Sequence, residues 1–404
     1  MSGQKQVLIT VRGHDAPGIT RDLTAVLAEY DAVLVDVEQV VNHDLLLLSF
    51  FVGFPDEADP EDAVTALRKV AAAHELVVEA KVFSTEDYRK RSLRHTYVVT
   101  LLGPVIGAKA LEGVSAVLAS LGVNIEKIHK LPGGHGSIAI MELVVSDDGM
   151  VGAHQLKQSL LEVYEQYTID VAVQRESVFR RSKRLVVMDM DSTLINCEVI
   201  DELAAEAGQK EKVAEITERA MRGELDFVAS LQERLSCLEG MPVESLQTVA
   251  ARIELTPGAD TLISVLHRLG YKTAVISGGF RFFTQTLQER MGLDYAFANE
   301  LEVEDGRLTG RVRGRIIDAD VKAELLEDIA RREGIGLDQV IAIGDGANDL
   351  KMLSKAGLGI AFNAKRRVRE AADGTISGSL DSILYLLGIT PRDIQELSET
   401  PWRS

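Results

Sequence analysis

The chain reads as an α/β protein: a Rossmann-like parallel-sheet core with a helical cap, preceded by two ferredoxin-like βαββαβ units. Three observations predict this. Thr24–Ala28 (TAVLA) is echoed by Ser115–Ala119 (SAVLA) at an offset of 91 residues, with the same order of strand and helix patterns around each copy. From Lys183 onward the pattern changes to strands alternating with helices, which implies a parallel sheet with its site at the carboxyl ends of the strands. At 404 residues the chain is also too long for one core.

The elements follow in order. In the first unit we expect strand 6–12, helix 18–30, strands 33–42 and 45–54, helix 60–74 and strand 76–84. In the second we expect strand 95–102, helix 108–121, strands 123–131 and 136–146, helix 152–166 and strand 168–175. Alternating apolar positions mark the strands, and Val26, Leu27 and Tyr30 give the first helix its apolar face. A βαββαβ order folds with two helices on one face of an antiparallel sheet. The charge runs Glu86–Arg94 and Arg180–Arg184 read as solvated connectors. They divide the chain into residues 1–88, 89–180 and 181–404. Within the last part, a mostly helical stretch at about 197–260 interrupts the alternation. The tail Thr390–Ser404 carries no assignable pattern.

Composition excludes several classes of function. The formal charge of −18 is split evenly: 16 Lys/Arg against 25 Asp/Glu through Arg180, and 28 against 37 beyond it. Neither part offers the basic surface that a nucleic-acid partner requires. The only cysteines, Cys197 and Cys237, argue against a disulfide framework and fit a reducing cytoplasm. The N-terminus lacks an apolar signal segment. Leu45–Phe54 has about half the length a membrane span needs, so a buried strand and no membrane partner are expected.

Chemistry concentrates in four segments. The apolar run ending at Met188 is followed by Asp189, with Asp191, Ser192 and Thr193 close behind (VVMDMDSTLI). Thr273–Ile276 leads into Ser277-Gly278-Gly279, and Lys322 lies near the start of a helix. Val340–Ile343 leads into Gly344-Asp345-Gly346-Ala347-Asn348-Asp349. Surface aspartates capping helices would explain one such pair but not the whole set.

DMDST, SGG, the lysine and GDGAND, in that order, resemble the haloacid-dehalogenase-like hydrolases over residues 183–385. The resemblance implies that Asp189 attacks phosphorus to form an aspartyl-phosphate. Asp191 then protonates the leaving group and activates water. It implies Mg²⁺ held by the Asp189 carboxylate, the Asp191 carbonyl and the Asp345 carboxylate, with Asn348 and Asp349 orienting ligands or metal-bound waters. Ser277 and Lys322 would contact the phosphoryl group. Hard oxygen ligands suit Mg²⁺, and such charge is needed because a phosphate dianion repels a carboxylate.

Within the helical insertion the match tightens to the phosphoserine phosphatases: Glu198, then Met221, Phe227 and Arg234 in AMRGELDFVASLQER. There the glutamate meets a substrate ammonium, the arginine forks a carboxylate, and Met221 and Phe227 form apolar walls. The expected substrate is O-phospho-L-serine, released as L-serine and phosphate in the last step of serine synthesis. Another small phosphomonoester, phosphotransfer to an alcohol, and an amino-acid-sensing regulator with a vestigial catalytic half are the alternatives.

The two amino-terminal units resemble tandem ACT domains over residues 5–175, with a glycine at each first strand-to-helix turn: Asp15-Ala-Pro-Gly18 and Gly103-Pro-Val-Ile-Gly107. Each glycine either lets backbone amides approach a bound carboxylate or simply ends a strand. The resemblance implies a free amino acid, serine or similar, as effector near Gly18, Gly107 and Asn124. Val33 occupies the position that matches Asn124, so the two sites would not be equivalent. It also implies a homodimer.

Overall fold

The computed structural model describes residues 5–83, 95–131 and 138–399. They form two compact units divided between Arg94 and His95.

The first unit holds β1 (Lys5–His14), helix Ile19–Glu29, β2 (Val33–Asn42), β3 (Leu45–Phe54), helix Pro60–Ala73 and β4 (Val77–Phe83). The sheet order is β2-β3-β1-β4, all antiparallel. Every second residue of β1 and β3 is apolar, and this alternation builds the core. Val7, Ile9 and Val11 of β1, with Leu46, Leu48, Phe50 and Val52 of β3, pack on Leu23, Leu27 and Leu67 of the helices. Leu45–Phe54 is thus the strand expected, buried on one face while Leu45 and Leu47 on the other are exposed. The edge strand β2 is different. All ten of its residues are exposed, Val33, Leu34, Val37, Val40 and Val41 among them.

The second unit begins with the same order: β5 (His95–Gly103), helix Ala108–Ser120, β6 (Asn124–Leu131), β7 (Ala139–Asp147), helix Ala153–Tyr167 and β8 (Asp170–Arg175). The core strands follow as β9 (Leu185–Met188), β10 (Lys272–Phe280), β11 (Tyr295–Glu304), β12 (Arg307–Arg313), β13 (Val340–Gly344), β14 (Leu358–Phe362) and β15 (Gly374–Ile376). Both parts share one eleven-stranded sheet, ordered β12-β11-β10-β9-β13-β14-β15-β8-β5-β7-β6. The join between β15 and β8 is one antiparallel pair, Gly374 with Ala172. A side chain at 374 would lie 3.1 Å from the Ala172 Cβ, so the approach relies on two small residues.

Strands β9, β13 and β14 are buried along their whole length, as parallel strands covered on both faces must be. Alternate residues serve opposite cores: Val186 and Met188 face one apolar cluster, Leu185 and Val187 the other. The insertion is a helical cap: Val199–Glu206, Lys210–Met221, Phe227–Ser236 and Ser245–Ala250. Chain enters and leaves it side by side, with Ile195 bridged to Leu255 and the Thr256 amide donating to the Leu194 carbonyl at 3.0 Å.

Three readings of the sequence change here. Arg180 and Lys183 are not solvated. Arg180 is buried on Glu142 of β7, and Lys183 Nζ donates to the Asp338 carbonyl at 2.6 Å, while Arg181, Ser182 and Arg184 stay exposed. The tail contains a helix, Pro391–Glu399. Its start is marked by Thr390, whose amide and hydroxyl both donate to Asp393 Oδ2, with proline at the first helical position. Strand 136–146 begins instead at Ala139, residues 136–137 lying outside the described residues along with connector 86–94. No helix among the described residues is long and apolar enough to cross a membrane, and both cysteines are free thiols.

Candidate active site

Strand β9 lies between β10 and β13, and the chain passes to opposite sides of it in turn. The carboxyl ends of these strands therefore surround a crevice at a topological switch point. Asp189 follows β9 directly, its amide tied to the Ile343 carbonyl of β13 at 2.9 Å. The next residues form a tight π turn, Met190–Leu194, in which Ser192 has φ 55°. A left-handed serine costs on the order of 1–2 kcal/mol, and what it achieves is visible. Asp191 points back to the crevice, and Ser192 Oγ reaches Glu198 Oε1 at 2.8 Å.

Around Asp189 the charges are closely interlocked. Lys322 Nζ sits 2.8 Å from Asp189 Oδ1 and 2.7 Å from Asp349 Oδ1, and its side chain is fully buried. Asp349 is held in turn by the Gly346 amide at 3.0 Å. Burial alone would lower the lysine's pKa, but the two carboxylates outweigh it and the net shift is upward. Asp189 is driven well up, first by burial and then by the Asp349 charge, with Lys322 opposing. Asp345, which accepts from Thr193 Oγ1 at 3.3 Å, is raised to about 7 by burial and next by Asp349. Asp191 is likewise raised to about 7, by burial and then the Glu198 charge. Its carboxylate accepts from the Val199 amide at 2.9 Å and from Ser277 Oγ at 3.2 Å.

So many raised acids around one lysine mean that the crevice is short of positive charge. Asp189, Asp345 and Asp349 each bring an oxygen within 4.8 Å of the others, a donor set of hard oxygens that fits a divalent metal.

The SGG loop is held from two directions. Ser277 Oγ accepts from the Gly279 amide at 2.7 Å. Asn299, buried on β11, donates to the Gly278 carbonyl at 2.8 Å and accepts from the Ile317 amide at 2.8 Å. Glycine is required at 279, where a Cβ would fall 2.8 Å from Asp191 Oδ2 and 3.0 Å from Ser277 Oγ.

Above these groups the cap closes a cleft of about 520 Å³. Its lining brings together Asp189, Asp191, Asp345, Gly278, Gly279 and Asn348 from the core with Glu198, Met221, Phe227 and Arg234 from the cap. Met221 is largely exposed at the rim, and Phe227 packs on Gly278. Arg234 makes no ion pair among the described residues. Burial lowers its pKa while Glu198, Asp201 and Asp191 pull it back up.

The sequence reading missed Ser192, Thr193 and Asn299 as site residues. The first two stand inside the DMDST motif and were open to assignment. Asn299 had no local signal, since its partners lie 21 and 18 residues away.

The expected effector residues lie elsewhere. Gly18, with φ 99°, caps helix Ile19–Glu29 in a conformation that favours glycine. Gly107 has φ −84°, which any residue adopts, so its backbone does not demand glycine. Asn124 opens β6, its side chain donating to Glu126 at 2.9 Å.

Comparison with known proteins agrees with this layout. A family model of haloacid dehalogenase-like hydrolases matches residues 183–357, and two ACT-domain models match residues 5–81 and 95–174. A phosphoserine phosphatase of Mycobacterium tuberculosis is 44% identical over 98% of this chain and 96% of its own length. One from Streptomyces coelicolor is 44% identical over 96% of this chain and 93% of its own. The unliganded crystal structure of a probable phosphoserine phosphatase from Vibrio cholerae is similar at TM-score 0.56 and 32% identity, over 76% of this chain and 90% of that one. The chain belongs to the phosphoserine phosphatases, haloacid dehalogenase-like hydrolases that here carry two amino-terminal ACT domains.

Proposed function

We propose that the chain hydrolyses O-phospho-L-serine to L-serine and phosphate, with Asp189 as nucleophile and Mg²⁺ as cofactor. The observation that supports this most is the cleft. It sets two reacting carboxylates with a glutamate and an arginine that has no ion-pair partner among the described residues, which match an amino acid's ammonium and carboxylate.

In the first step an Asp189 oxygen forms a bond to phosphorus as the bond to the serine oxygen breaks. Asp191, protonated at neutral pH more readily than an ordinary aspartate, gives its proton to that leaving oxygen. In the second step Asp191 takes a proton from water, the new hydroxide attacks phosphorus, and the Asp189–phosphorus bond breaks. Mg²⁺ held by Asp189, Asp345 and the Asp191 carbonyl would supply the positive charge that the phosphate dianion needs. Ser277 donates to the phosphoryl oxygens, and Lys322 holds Asp189 in line while adding its charge. Gly278, Gly279 and Asn348 shape the phosphoryl pocket, and Asp349 fixes Lys322.

We assign residues 1–88 and 89–180 as regulatory domains and 181–404 as the catalytic domain with its cap at 197–260. A free amino acid, serine or similar, acts through Gly18, Gly107 and Asn124. The exposed edge strand β2, which carries Val33, Leu34, Val37, Val40 and Val41, supports pairing with a second copy of the chain. Free cysteines support a cytoplasmic setting.

A substrate panel tests the reading. Arg234→Ala is expected to lower kcat/KM for O-phospho-L-serine by at least about 100-fold, with much smaller losses on phosphomonoesters that lack a carboxylate. Equal losses on every substrate would contradict the role of Arg234, and wild-type protein preferring another phosphomonoester would contradict the substrate.

A further inference from the structure

Lys365 is an exposed lysine in the loop that follows β14, and nothing in the chemistry above uses it. Its place is set by the sheet. Strand β14 runs parallel beside β13, with Gly344 paired to Ala361, so the chain leaves both strands at the crevice. There β13 delivers Asp345 and Asn348, and β14 delivers the loop 363–365. The loop is pinned at its start. Asn363 takes a left-handed turn at φ 45°, its amide donates to the Ile376 carbonyl at 3.0 Å, and its side chain accepts from the Gly378 amide at 2.9 Å. Beyond this turn Lys365 Nζ lies 4.0 Å from Sδ of Met221, the cap residue at the rim of the cleft.

A thioether is a weak acceptor and offers an ammonium little. Lys365 has no ion pair among the described residues, unlike two basic residues that follow it: Arg366 pairs with Glu165 and Glu370, and Arg369 with Glu165. An unpaired ammonium matters here because of what it stands beside. The cleft lining carries Asp189, Asp191, Glu198, Asp226 and Asp345 against one cation, Arg234, in a chain of formal charge −18. The substrate proposed above carries roughly two net negative charges at neutral pH. Repulsion therefore meets it before it reaches Arg234, and a positive charge at the mouth offsets that repulsion.

We infer that Lys365 steers the anionic substrate into the cleft, acting through its charge and not through contact with the reacting atoms. The inference rests on the reading of the cleft as a phosphomonoester site and adds to it a determinant of substrate capture. A charge at the mouth acts alike on bound substrate and transition state, so its effect falls on kcat/KM and spares kcat.

The test is steady-state kinetics of Lys365→Gln, Lys365→Glu and Lys365→Arg on O-phospho-L-serine with Mg²⁺ at two ionic strengths. At about 0.01 M charges act over about 30 Å, and at about 1 M they are screened within about 3 Å. At low ionic strength Lys365→Gln is expected to lower kcat/KM about fivefold, and Lys365→Glu about 25-fold because its charge change is doubled. At high ionic strength both losses should shrink below about twofold, and Lys365→Arg should stay within about twofold of wild type throughout. A kcat/KM for Lys365→Gln within about 1.5-fold of wild type at low ionic strength would overturn the inference. So would a loss of the same size at both ionic strengths, or one carried by kcat, since either marks a contact or a structural role. Failure of wild-type protein to turn over O-phospho-L-serine would instead count against the site reading itself.

Discussion

At the scale of single residues, the site is organised by charge in short supply. Among the described residues Lys322 is the one cation in contact with Asp189, and it is shared with Asp349. Gly279 shows how little room is left: an added methyl would press on Asp191 Oδ2 at 2.8 Å, Met190 Cε at 2.9 Å and Ser277 Oγ at 3.0 Å. Gly279→Ala is expected to lower kcat/KM by at least about 100-fold, because a small misplacement of Asp191 suffices. Its melting temperature should stay within a few degrees, since Gly279 is at the crevice and not in the core. Near-normal kinetics would show that Asp191 does not need its observed position. Asp189, Asp191, Ser277, Lys322 and Asp345 were legible in the sequence, because phosphoryl transfer demands those side chains at strand and helix ends. Asn299 was not. Its place depends on partners supplied by the fold, and an asparagine in a strand announces nothing.

Among elements, the least expected contact is that of helix Ala153–Tyr167 with β15 and the helix Arg366–Ala371. Lys157, 1% exposed, donates to Thr375 Oγ1 at 2.8 Å and to the Arg369 carbonyl at 3.3 Å. Asp170 takes the amide and hydroxyl of Ser377 at 2.8 and 3.1 Å, and Arg369 stacks on Tyr164. Burial pushes the Lys157 pKa down to about 8, with Asp373 and Asp170 opposing and Arg369 reinforcing. The sign follows from linkage. Below about pH 8 the lysine is charged in both states and the fold bears the full cost of burying it. As pH rises from about 8 towards 10, the folded protein releases this proton before the unfolded chain does, and the penalty fades. Lys183 is shifted to about 8 as well, so only a difference isolates Lys157. Lys157→Met is expected to flatten the alkaline gain in stability by an amount on the order of a few kcal/mol, read from melting curves at stepped pH. An unchanged slope would mean that Lys157 is not charged and buried as described. Strand and helix spans came through from the sequence within a few residues wherever apolar periodicity was long. The helix Pro391–Glu399 did not, because its apolar face is narrow and its start is marked only by Thr390, Pro391 and Asp393.

For the whole molecule, the repeat and the change of pattern at Lys183 revealed two βαββαβ units and a parallel core. They did not reveal that the second unit continues the core sheet through Gly374 and Ala172. One paired residue between two small side chains leaves no periodic trace. Nor did the basic run at 180–184 announce that two of its residues are buried: Arg180 pairs with Glu142 of β7, and Lys183 donates to the Asp338 carbonyl just before β13. Phosphate release from O-phospho-L-serine is the decisive test of a metal-dependent phosphatase working through Asp189. Wild type and Asp189→Asn are to be assayed with Mg²⁺ and with excess EDTA. Rapid release is expected only from wild type with Mg²⁺, with a loss of at least about 1,000-fold in the folded variant. Metal-independent release, or more than a few per cent of activity in Asp189→Asn with deamidation excluded, would contradict it.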